Sequence, residues 1–260
     1  MILLVGCGKM GGAMFAGWRA AGRDVAVVEP DAAHHPAGAA LAVADAADLP
    51  RTLAPEAVVL AVKPQEAAKT LPAYARFAER SVFVSIMAGK SVGGMQALLG
   101  GSARIVRAMP NTPAAIGRGI TVCCAGQGVS AAEKALAESL LKTVGQVAWV
   151  EDEALIDPVT ALSGGGPAYV FLLAEVLEQA GIANGLPAEL AAQLARATVA
   201  GAGALLDASS EPPATLRRNV TSPGGTTAEA LKVLMDAPAW PALMTRAIAA
   251  ATARSRELAG

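Results

Sequence analysis

The residues of this sequence best suited to chemistry form a glycine-rich turn close to its start, Gly6-Cys7-Gly8-Lys9-Met10-Gly11. The apolar residues before the turn predict a buried strand, and residues 9–21 have the spacing of a helix. In that context Gly6 allows a tight turn, Gly8 lets the backbone approach a pyrophosphate, and Gly11 lets the helix pack closely on the strand. The first amides of the helix would hold the phosphates. The turn therefore predicts a dinucleotide site, although such turns also serve only to join a strand to a helix.

An acidic residue ends the next predicted strand, residues 24–29. Glu29 lies 18 residues after Gly11, where a carboxylate can accept hydrogen bonds from the ribose hydroxyls of an adenine nucleotide. A carboxylate at this position repels a 2′-phosphate and so favours NADH over NADPH. The alternative is an acid that ends a strand in solvent. His34 and His35, the two histidines of the chain, are expected to be loop residues without a catalytic role.

Two more predicted strands end in residues that suit a ligand. Residues 57–62 form a continuous apolar run that is followed by Lys63 and Pro64, and residues 81–86 are followed by the small-residue stretch Met87-Ala88-Gly89. Open α/β sheets bind ligands at the carboxyl ends of their strands, so both stretches are candidates for cofactor contacts. The alternative for Lys63 is a surface lysine whose stem covers apolar residues.

A second glycine-rich stretch, Ser222-Pro223-Gly224-Gly225-Thr226-Thr227, precedes a predicted helix over residues 228–235. Several backbone amides near a helix start can hold a small anion such as a carboxylate. The alternative is an ordinary helix start with Thr226 or Thr227 as its N-cap. This stretch by itself leaves both interpretations open.

Composition limits the classes of function. The net charge of the 260-residue chain is −1, and charged residues are not clustered, which argues against nucleic acid or an anionic membrane as a partner. The most apolar helical stretch, residues 197–206, is too short to cross a bilayer. Cys7, Cys123 and Cys124 lack the spacing of metal ligands, so we expect reduced thiols and no metal site. These features predict a cytoplasmic protein.

The pattern of predicted elements changes near residues 150–155. Strands alternate with helices up to Val150, and long helical segments rich in alanine and leucine follow it. We therefore expect an α/β fold with a Rossmann-like dinucleotide-binding domain over residues 1–152, followed by an all-α domain over residues 153–260. The apolar faces of these helices exceed what a small domain can cover, which predicts a dimer.

Five motifs in order resemble those of the pyrroline-5-carboxylate reductases, which make proline in the last step of its synthesis. The most specific runs from Leu216 through Ser222-Pro223-Gly224-Gly225-Thr226-Thr227 to Asp236. The other four are the glycine turn, Ala61-Val62-Lys63-Pro64, Met109-Pro110-Asn111-Thr112-Pro113 and Ser163-Gly164-Gly165-Gly166-Pro167-Ala168-Tyr169. The resemblance covers nearly the whole chain and implies hydride transfer from NADPH or NADH to a cyclic imine carboxylate.

The resemblance also implies roles for single residues. Ser222, Gly225, Thr226 and Thr227 would bind the substrate. The amides of Gly225, Thr226 and Thr227 would hold its carboxylate, and the hydroxyl of Thr227, the catalytic residue, would bond the ring nitrogen. The resemblance implies cofactor contacts from Gly6, Cys7, Gly8, Lys9, Met10, Glu29, Ala61, Val62, Lys63, Pro64, Met87, Ala88 and Gly89, and from Asn219 to the cofactor of a second subunit. The helical domains of two subunits would interleave, and dimers of the family often form larger rings.

Two residues depart from the family pattern. Many relatives have serine or asparagine near the position of Glu29. The glutamate here therefore argues against the use of NADPH that is frequent in the family. Gly165 stands in the middle of the Ser-Gly-x-Gly-Pro motif, so this position offers no side chain to a substrate.

Two other classes of function fit parts of the pattern. A β-hydroxyacid or ketopantoate-type dehydrogenase would need a proton donor for its neutral carbonyl, often a lysine. Lys232 is the only lysine after Val150. A sensor that binds a dinucleotide without chemistry would not need the second glycine-rich stretch.

Overall fold

A computed structural model describes residues 1–259 of the chain. Contacts within the chain divide it into two compact units. The first contains residues 1–165 together with the chain from residue 251 onward, and the second contains residues 166–250. The first unit thus includes residues 153–165, which directly follow the last strand.

The first unit is built on an eight-stranded sheet. The strands are β1 (Ile2–Val5), β2 (Val25–Val28), β3 (Leu41–Val43), β4 (Ala57–Leu60), β5 (Val82–Ser85), β6 (Arg104–Met109), β7 (Gly119–Ala125) and β8 (Gly145–Val150). Their order is β3-β2-β1-β4-β5-β6-β7-β8. All neighbouring strands are parallel except β6 and β7, which are antiparallel. The predicted Rossmann-like fold is confirmed.

Helices cover the faces of this sheet. They are α1 (Lys9–Ala20), α2 (Ala67–Thr70), α3 (Val92–Leu99), α4 (Ala131–Leu141) and α5 (Ile156–Val159), and a π-helical segment, Thr160–Gly164, follows α5. Side chains alternate between the two faces of each strand, so each face has its own core. Val84 and Val106 belong to one core, and Phe83 and Ile105 to the other. On the first face, the Trp18 indole N–H of α1 donates to the carbonyl of Leu140 in α4 at 2.8 Å.

The start of α4 is stabilised by a capping box, as its sequence predicts. The Ser130 hydroxyl accepts from the Glu133 amide, and the Glu133 carboxylate accepts from the Ser130 amide. Arg104 of β6 also donates to Glu133. Burial on its own would raise the pKa of Glu133, but the hydrogen bonds from Arg104 and Ser130 outweigh it and hold this pKa below the ordinary 4.5.

We expect Glu133→Gln to lower the free energy of unfolding by about 1 kcal/mol at pH 7, because the charge-assisted bond from Arg104 is lost. The pKa of Glu133 is lower in the folded than in the unfolded chain, so its stabilisation is full above pH 4.5 and is lost as the pH falls through the folded pKa. Urea titrations at fixed protein concentration from pH 7 to about pH 3 check this, because the wild type and the variant should converge in acid. Glu229→Gln, which removes an exposed ion pair with Lys232, is the control and should change little. A pH-independent difference would contradict the expectation.

The second unit is entirely helical. It contains α6 (Gly166–Ala183), α7 (Ala188–Ala208), α8 (Pro213–Asn219), α9 (Thr226–Leu234) and the first part of α10 (Trp240–Ala259). Within residues 166–250, all of which the structure describes, only Ala191 and Ala195 are buried apolar residues. Large apolar side chains such as Phe171 and Leu205 are exposed at 68% and 57%. A single chain therefore leaves the apolar faces of this unit uncovered, as the sequence predicts.

One helical stretch passes the length and hydropathy criteria for a membrane span, which the sequence analysis did not anticipate. It is Glu153–Ala183, 31 residues with a mean hydropathy of 1.3, and 6% of that window is buried. The stretch is this long because α5, the π-helical segment and α6 follow one another without a break. One such helix is weak evidence for a membrane protein.

The last turns of α10 return to the first unit. Ser255 of α10 donates to the Asp157 carboxylate of α5 at 2.7 Å, and both residues are buried. This bond holds the end of α10 against the segment that follows β8.

Candidate active site

An open groove of about 720 Å³ lies in the first unit at the carboxyl ends of β1, β2 and β4. In the sheet β1 lies between β2 and β4, so the groove is at the point where the strand order reverses. Doubly wound sheets bind their ligands at this point. Gly6, Gly8, Glu29 and residues 61–63, all predicted from the sequence as cofactor contacts, line it.

The three glycines of the turn meet three different demands. Gly6 has a φ of +90°, and a side chain there would approach the carbonyl oxygen of Ala61 to 2.8 Å. A side chain at Gly11 would overlap the carbonyl oxygen of Gly6, so only glycine lets α1 pack this closely on β1. Gly8, the N-cap of α1, has a φ of −68°, and a Cβ there would meet no atom within 4 Å. The packing of the chain itself therefore does not require glycine at position 8, and its absence of a side chain leaves open space at the start of α1.

Glu29 is held at the rim of the groove by two backbone amides. Its Oε2 accepts from the Cys7 amide at 2.7 Å, and its Oε1 accepts from the Asp31 amide at 3.1 Å. His35 Nε2 lies 2.7 Å from the Glu29 carbonyl oxygen. The carboxylate is thus fixed next to the glycine turn by two amides and is not a freely solvated acid at the end of the strand.

The groove is also lined by charged groups that were not predicted from the sequence. Asp31 and Asp45 follow β2 and β3, and each caps a short 3-10 turn through its carboxylate. Lys63 lies across the groove and is exposed, as is Lys69. An aspartate two residues before an amide that it can accept from, in a short polar stretch, is the signal that points to the two caps. The rim around Glu29 is therefore acidic.

The cysteines of this unit are buried thiols. Burial raises the pKa of Cys7, and the nearby Glu29 carboxylate raises it further. Burial also raises the pKa of Cys123 to about 12. Cys7 is therefore a neutral thiol at physiological pH, and it presents its backbone amide to Glu29. Among residues 1–259, no three His, Cys, Asp or Glu side chains are grouped so that they could hold a metal ion.

The predicted contact residues Met87, Ala88 and Gly89 form a loop between β5 and α3. The Ile86 amide donates to the Leu60 carbonyl of β4 at 3.1 Å, and the Met87 amide donates to Ser85 Oγ at 3.3 Å. Ala88 is exposed, whereas Met87 and Gly89 are buried. The loop lies outside the lining of the groove, after the next strand along the sheet.

The polar loop after β6 is held by its own side chains. Asn111 Oδ1 accepts from the Ile120 amide at 3.0 Å, and Asn111 Nδ2 donates to Ser163 Oγ at 3.3 Å. Ser163 belongs to the π-helical segment, a distortion that is frequent at functional sites. Two of the five motifs therefore meet in this unit.

The second glycine-rich stretch leads into α9 in the helical unit. The helix begins at Thr226, two residues before the predicted start, and Gly225 is its N-cap without a side-chain hydrogen bond. Neither Thr226 nor Thr227 is the N-cap, so the alternative of an ordinary threonine cap is wrong. The Gly225 amide, which was predicted to hold a carboxylate, instead donates to the Ser222 carbonyl at 3.1 Å. The amides of Thr226 and Thr227 remain at the helix start, where an α-helix provides no acceptor.

The other predicted site residue of the helical unit, Asn219, lies shortly before this stretch in the sequence. Asn219 ends α8, is exposed, and donates through Nδ2 to Glu211 Oε2 at 3.3 Å. Thr227 is half-buried, while Ser222 and Thr226 are exposed. The predicted cofactor residues other than Asn219 thus lie in the first unit, and the predicted substrate residues lie in the second.

Comparison with known proteins gives matches along the whole chain. A family profile described as "Pyrroline-5-carboxylate reductase dimerisation" matches residues 153–258, and one described as "NADP oxidoreductase coenzyme F420-dependent" matches residues 1–89. The pyrroline-5-carboxylate reductase of Pseudomonas aeruginosa is 39% identical over 264 aligned positions, which cover 99% of this chain and 96% of the relative.

Solved structures agree with these matches. A pyrroline-5-carboxylate reductase from Coxiella burnetii is 34% identical with a TM-score of 0.91, over 100% of this chain and 98% of that one. The Plasmodium falciparum pyrroline carboxylate reductase, solved with NADP bound, is 29% identical with a TM-score of 0.83 and the same coverage. The chain has the glycine turn, the groove at the reversal of strand order and the helical unit. With these matches, it belongs to the pyrroline-5-carboxylate reductase family.

Proposed function

We propose that this protein reduces 1-pyrroline-5-carboxylate to L-proline. Membership of the family along nearly the whole chain carries this proposal, because it includes both the dinucleotide-binding half and the half that ends in the second glycine-rich stretch. Bound NAD(P)H supplies the hydride that adds to the imine carbon of the substrate. The protein's own residues bind and orient the two reactants.

The first unit would hold the dinucleotide in its groove. The start of α1 follows Gly8, where a side chain would meet no atom within 4 Å, and the amides of a helix start suit a pyrophosphate. Glu29 would bond the hydroxyls of the adenine-side ribose, and Lys63 offers a positive charge beside the phosphates. The loop Met87–Gly89 would lie beside the nicotinamide half, since it follows the strand next to β4.

The helical unit would hold the substrate. The amides of Thr226 and Thr227, at the positive end of α9, would bind the carboxylate, with Gly225 and Ser222 shaping the turn before them. The Thr227 hydroxyl would bond the ring nitrogen. Because the iminium form of the substrate already carries a positive charge, this reaction needs no strong acid, and catalysis rests mainly on the orientation of two rings.

The charges at the groove favour NADH as the cofactor. Glu29, Asp31 and Asp45 place carboxylates around the adenine-side rim, and Glu29 is fixed there by two amides. A 2′-phosphate at this rim would be repelled by all three.

Self-association would cover the exposed apolar faces of α6 and α7. We propose a dimer in which the helical domains interleave and Asn219 contacts the cofactor of the partner, and rings of such dimers are the larger form that the family resemblance implies. Burial of α6 in that interface would cover the exposed apolar part of Glu153–Ala183, which fits a soluble cytoplasmic enzyme better than a membrane span.

Steady-state kinetics with 1-pyrroline-5-carboxylate tests the reaction, with NADH and NADPH compared in parallel. We expect oxidation of the nucleotide that depends on the cyclic imine, and a higher kcat/KM with NADH. Ketoacids serve as control substrates and should not be reduced. Nucleotide binding without any oxidation by the imine would refute the proposed activity and favour a sensor.

A further inference from the structure

We propose that Arg107 and Glu153 position the loop between β5 and α3, and through it the nicotinamide half of the cofactor. This inference rests on the proposed function, which assigns Met87–Gly89 to that cofactor. Neither charged residue belongs to the site residues named so far. They would act through the loop and not by touching the reactants.

A row of polar side chains crosses one face of the sheet below this loop. Arg107 of β6 is in register with Ser85 of β5 and with Cys124 of β7. Alternation along the strands puts Ser85 and Arg107 on the same face as Phe83 and Ile105, which is otherwise an apolar core. Ser85 is the last residue of β5, so this row lies where the loop begins.

Glu153 connects this row to the other end of the loop. Its Oε1 accepts from Arg107 Nη1 at 2.8 Å and from the Val92 amide at 2.8 Å. Val92 is the first residue of α3, which starts where the loop ends. A carboxylate at a helix N-terminus is also favoured by the helix dipole. One carboxylate oxygen therefore joins the sheet to the far end of the loop.

The arginine of this ion pair is buried, whereas the Glu153 side chain is 32% exposed. The Arg107 side chain is 5% exposed, and its Nε and Nη2 have no hydrogen-bond partner among the described residues. Apolar side chains of similar volume often stabilise a core as well as a buried ion pair or better. A buried guanidinium with two unsatisfied nitrogens is instead consistent with a positional role, because its charge fixes the Glu153 carboxylate that holds α3.

The loop between these anchors has little freedom of its own. Met87 is bonded to Ser85 at the start, as described above, and Gly89 has a φ of +67°. A Cβ at Gly89 would come within 3.3 Å of the Leu258 carbonyl oxygen, so the end of α10 confines the middle of the loop. A shift of the Val92 end would therefore move the exposed Ala88, the part of the loop that is open to a ligand.

Arg107→Met tests the inference, because methionine fills much of the same space without charge or donors. The probe is NADH, and its Kd is measured from nucleotide fluorescence at a temperature where the variant is folded. We expect the Kd to rise about tenfold, the converted loss of about 1.4 kcal/mol, while the KM for 1-pyrroline-5-carboxylate stays within about twofold. Arg107→Lys should recover part of the affinity, since it keeps the charge near Glu153.

Arg104→Met is the matched control. Arg104 lies on the same strand and also forms an ion pair, with Glu133, at the opposite end of β6. This variant should lose stability but keep the wild-type Kd. A wild-type Kd for Arg107→Met, or an equal rise for Arg104→Met, would overturn the inference, because a purely structural role predicts either outcome.

Two further results keep the inference separate from the proposed function. If Arg107→Met does not fold, Glu153→Gln carries the test, since it keeps an acceptor oxygen and removes only the charge. We expect about a threefold rise in its Kd for NADH, and an unchanged Kd would overturn the inference. All of these tests measure NADH binding. A wild-type protein that binds NADH but does not reduce the imine would therefore refute the proposed activity and leave the inference about Arg107 and Glu153 intact.

Discussion

Thr227→Ala is expected to lower kcat by about 100-fold, because the hydroxyl that we propose to orient the ring nitrogen is lost while the amides proposed to bind the carboxylate remain. The Kd for NADH should stay close to that of the wild type, since the groove lies in the other unit. The helix should tolerate the change. Gly225 is the N-cap of α9, so no cap is removed, and alanine has the higher helix propensity.

The neighbouring threonine provides a matched control for this prediction. Thr226 is the first residue of α9, and the proposal uses only its amide, so Thr226→Ala should retain nearly full kcat. Thr227→Ser keeps a hydroxyl and should recover most of the activity. Single-turnover measurements of NADH oxidation separate chemistry from product release. A Thr227→Ala variant with wild-type kcat would show that this hydroxyl has no part in the reaction.

Glu29→Gln is expected to raise the ratio of kcat/KM with NADPH to that with NADH by at least about 30-fold. A phosphate with a charge of about −2 at about 4 Å from a carboxylate is repelled by about 2 kcal/mol even in bulk water, and by more near a protein surface. The glutamine oxygen can still accept from the Cys7 amide, so the glycine turn should keep its shape. Steady-state kinetics with both cofactors at a single ionic strength measures the ratio.

Another acid of the same groove controls for net charge. Glu66 also lines the groove, is exposed, and lies on the short turn that starts at Pro64. Glu66→Gln removes the same charge and should change the cofactor ratio by less than about threefold, since screening by water and salt weakens an exposed charge that no amide holds in place. Equal effects of the two substitutions would mean that the overall charge of the groove, and not Glu29, sets the preference.

The sequence by itself predicted the local elements of this protein well. The turn Gly6–Gly11 could be predicted from adjacent residues, because a strand, a glycine turn and a helix each leave a periodic or compositional signal within a few positions. The capping box of Ser130 and Glu133 is readable for the same reason, and so is the change to helices after Val150. The family followed from five such local motifs in order.

The tertiary structure decided what depends on residues far apart in the chain. Three such features leave no periodic signal in the sequence. They are the antiparallel pairing of β6 with β7, the bond from the Cys7 amide to Glu29, and the ion pair of Arg107 with Glu153, 46 residues away. The same holds for the acidic rim of the groove, where separate strand ends meet. Strand order and register bring these groups together, and they are set by the packing of whole elements. The glycine turn and the acid at Glu29 could therefore be predicted from the sequence, whereas the two amides that hold Glu29 and the neighbouring carboxylates of Asp31 and Asp45 required the fold.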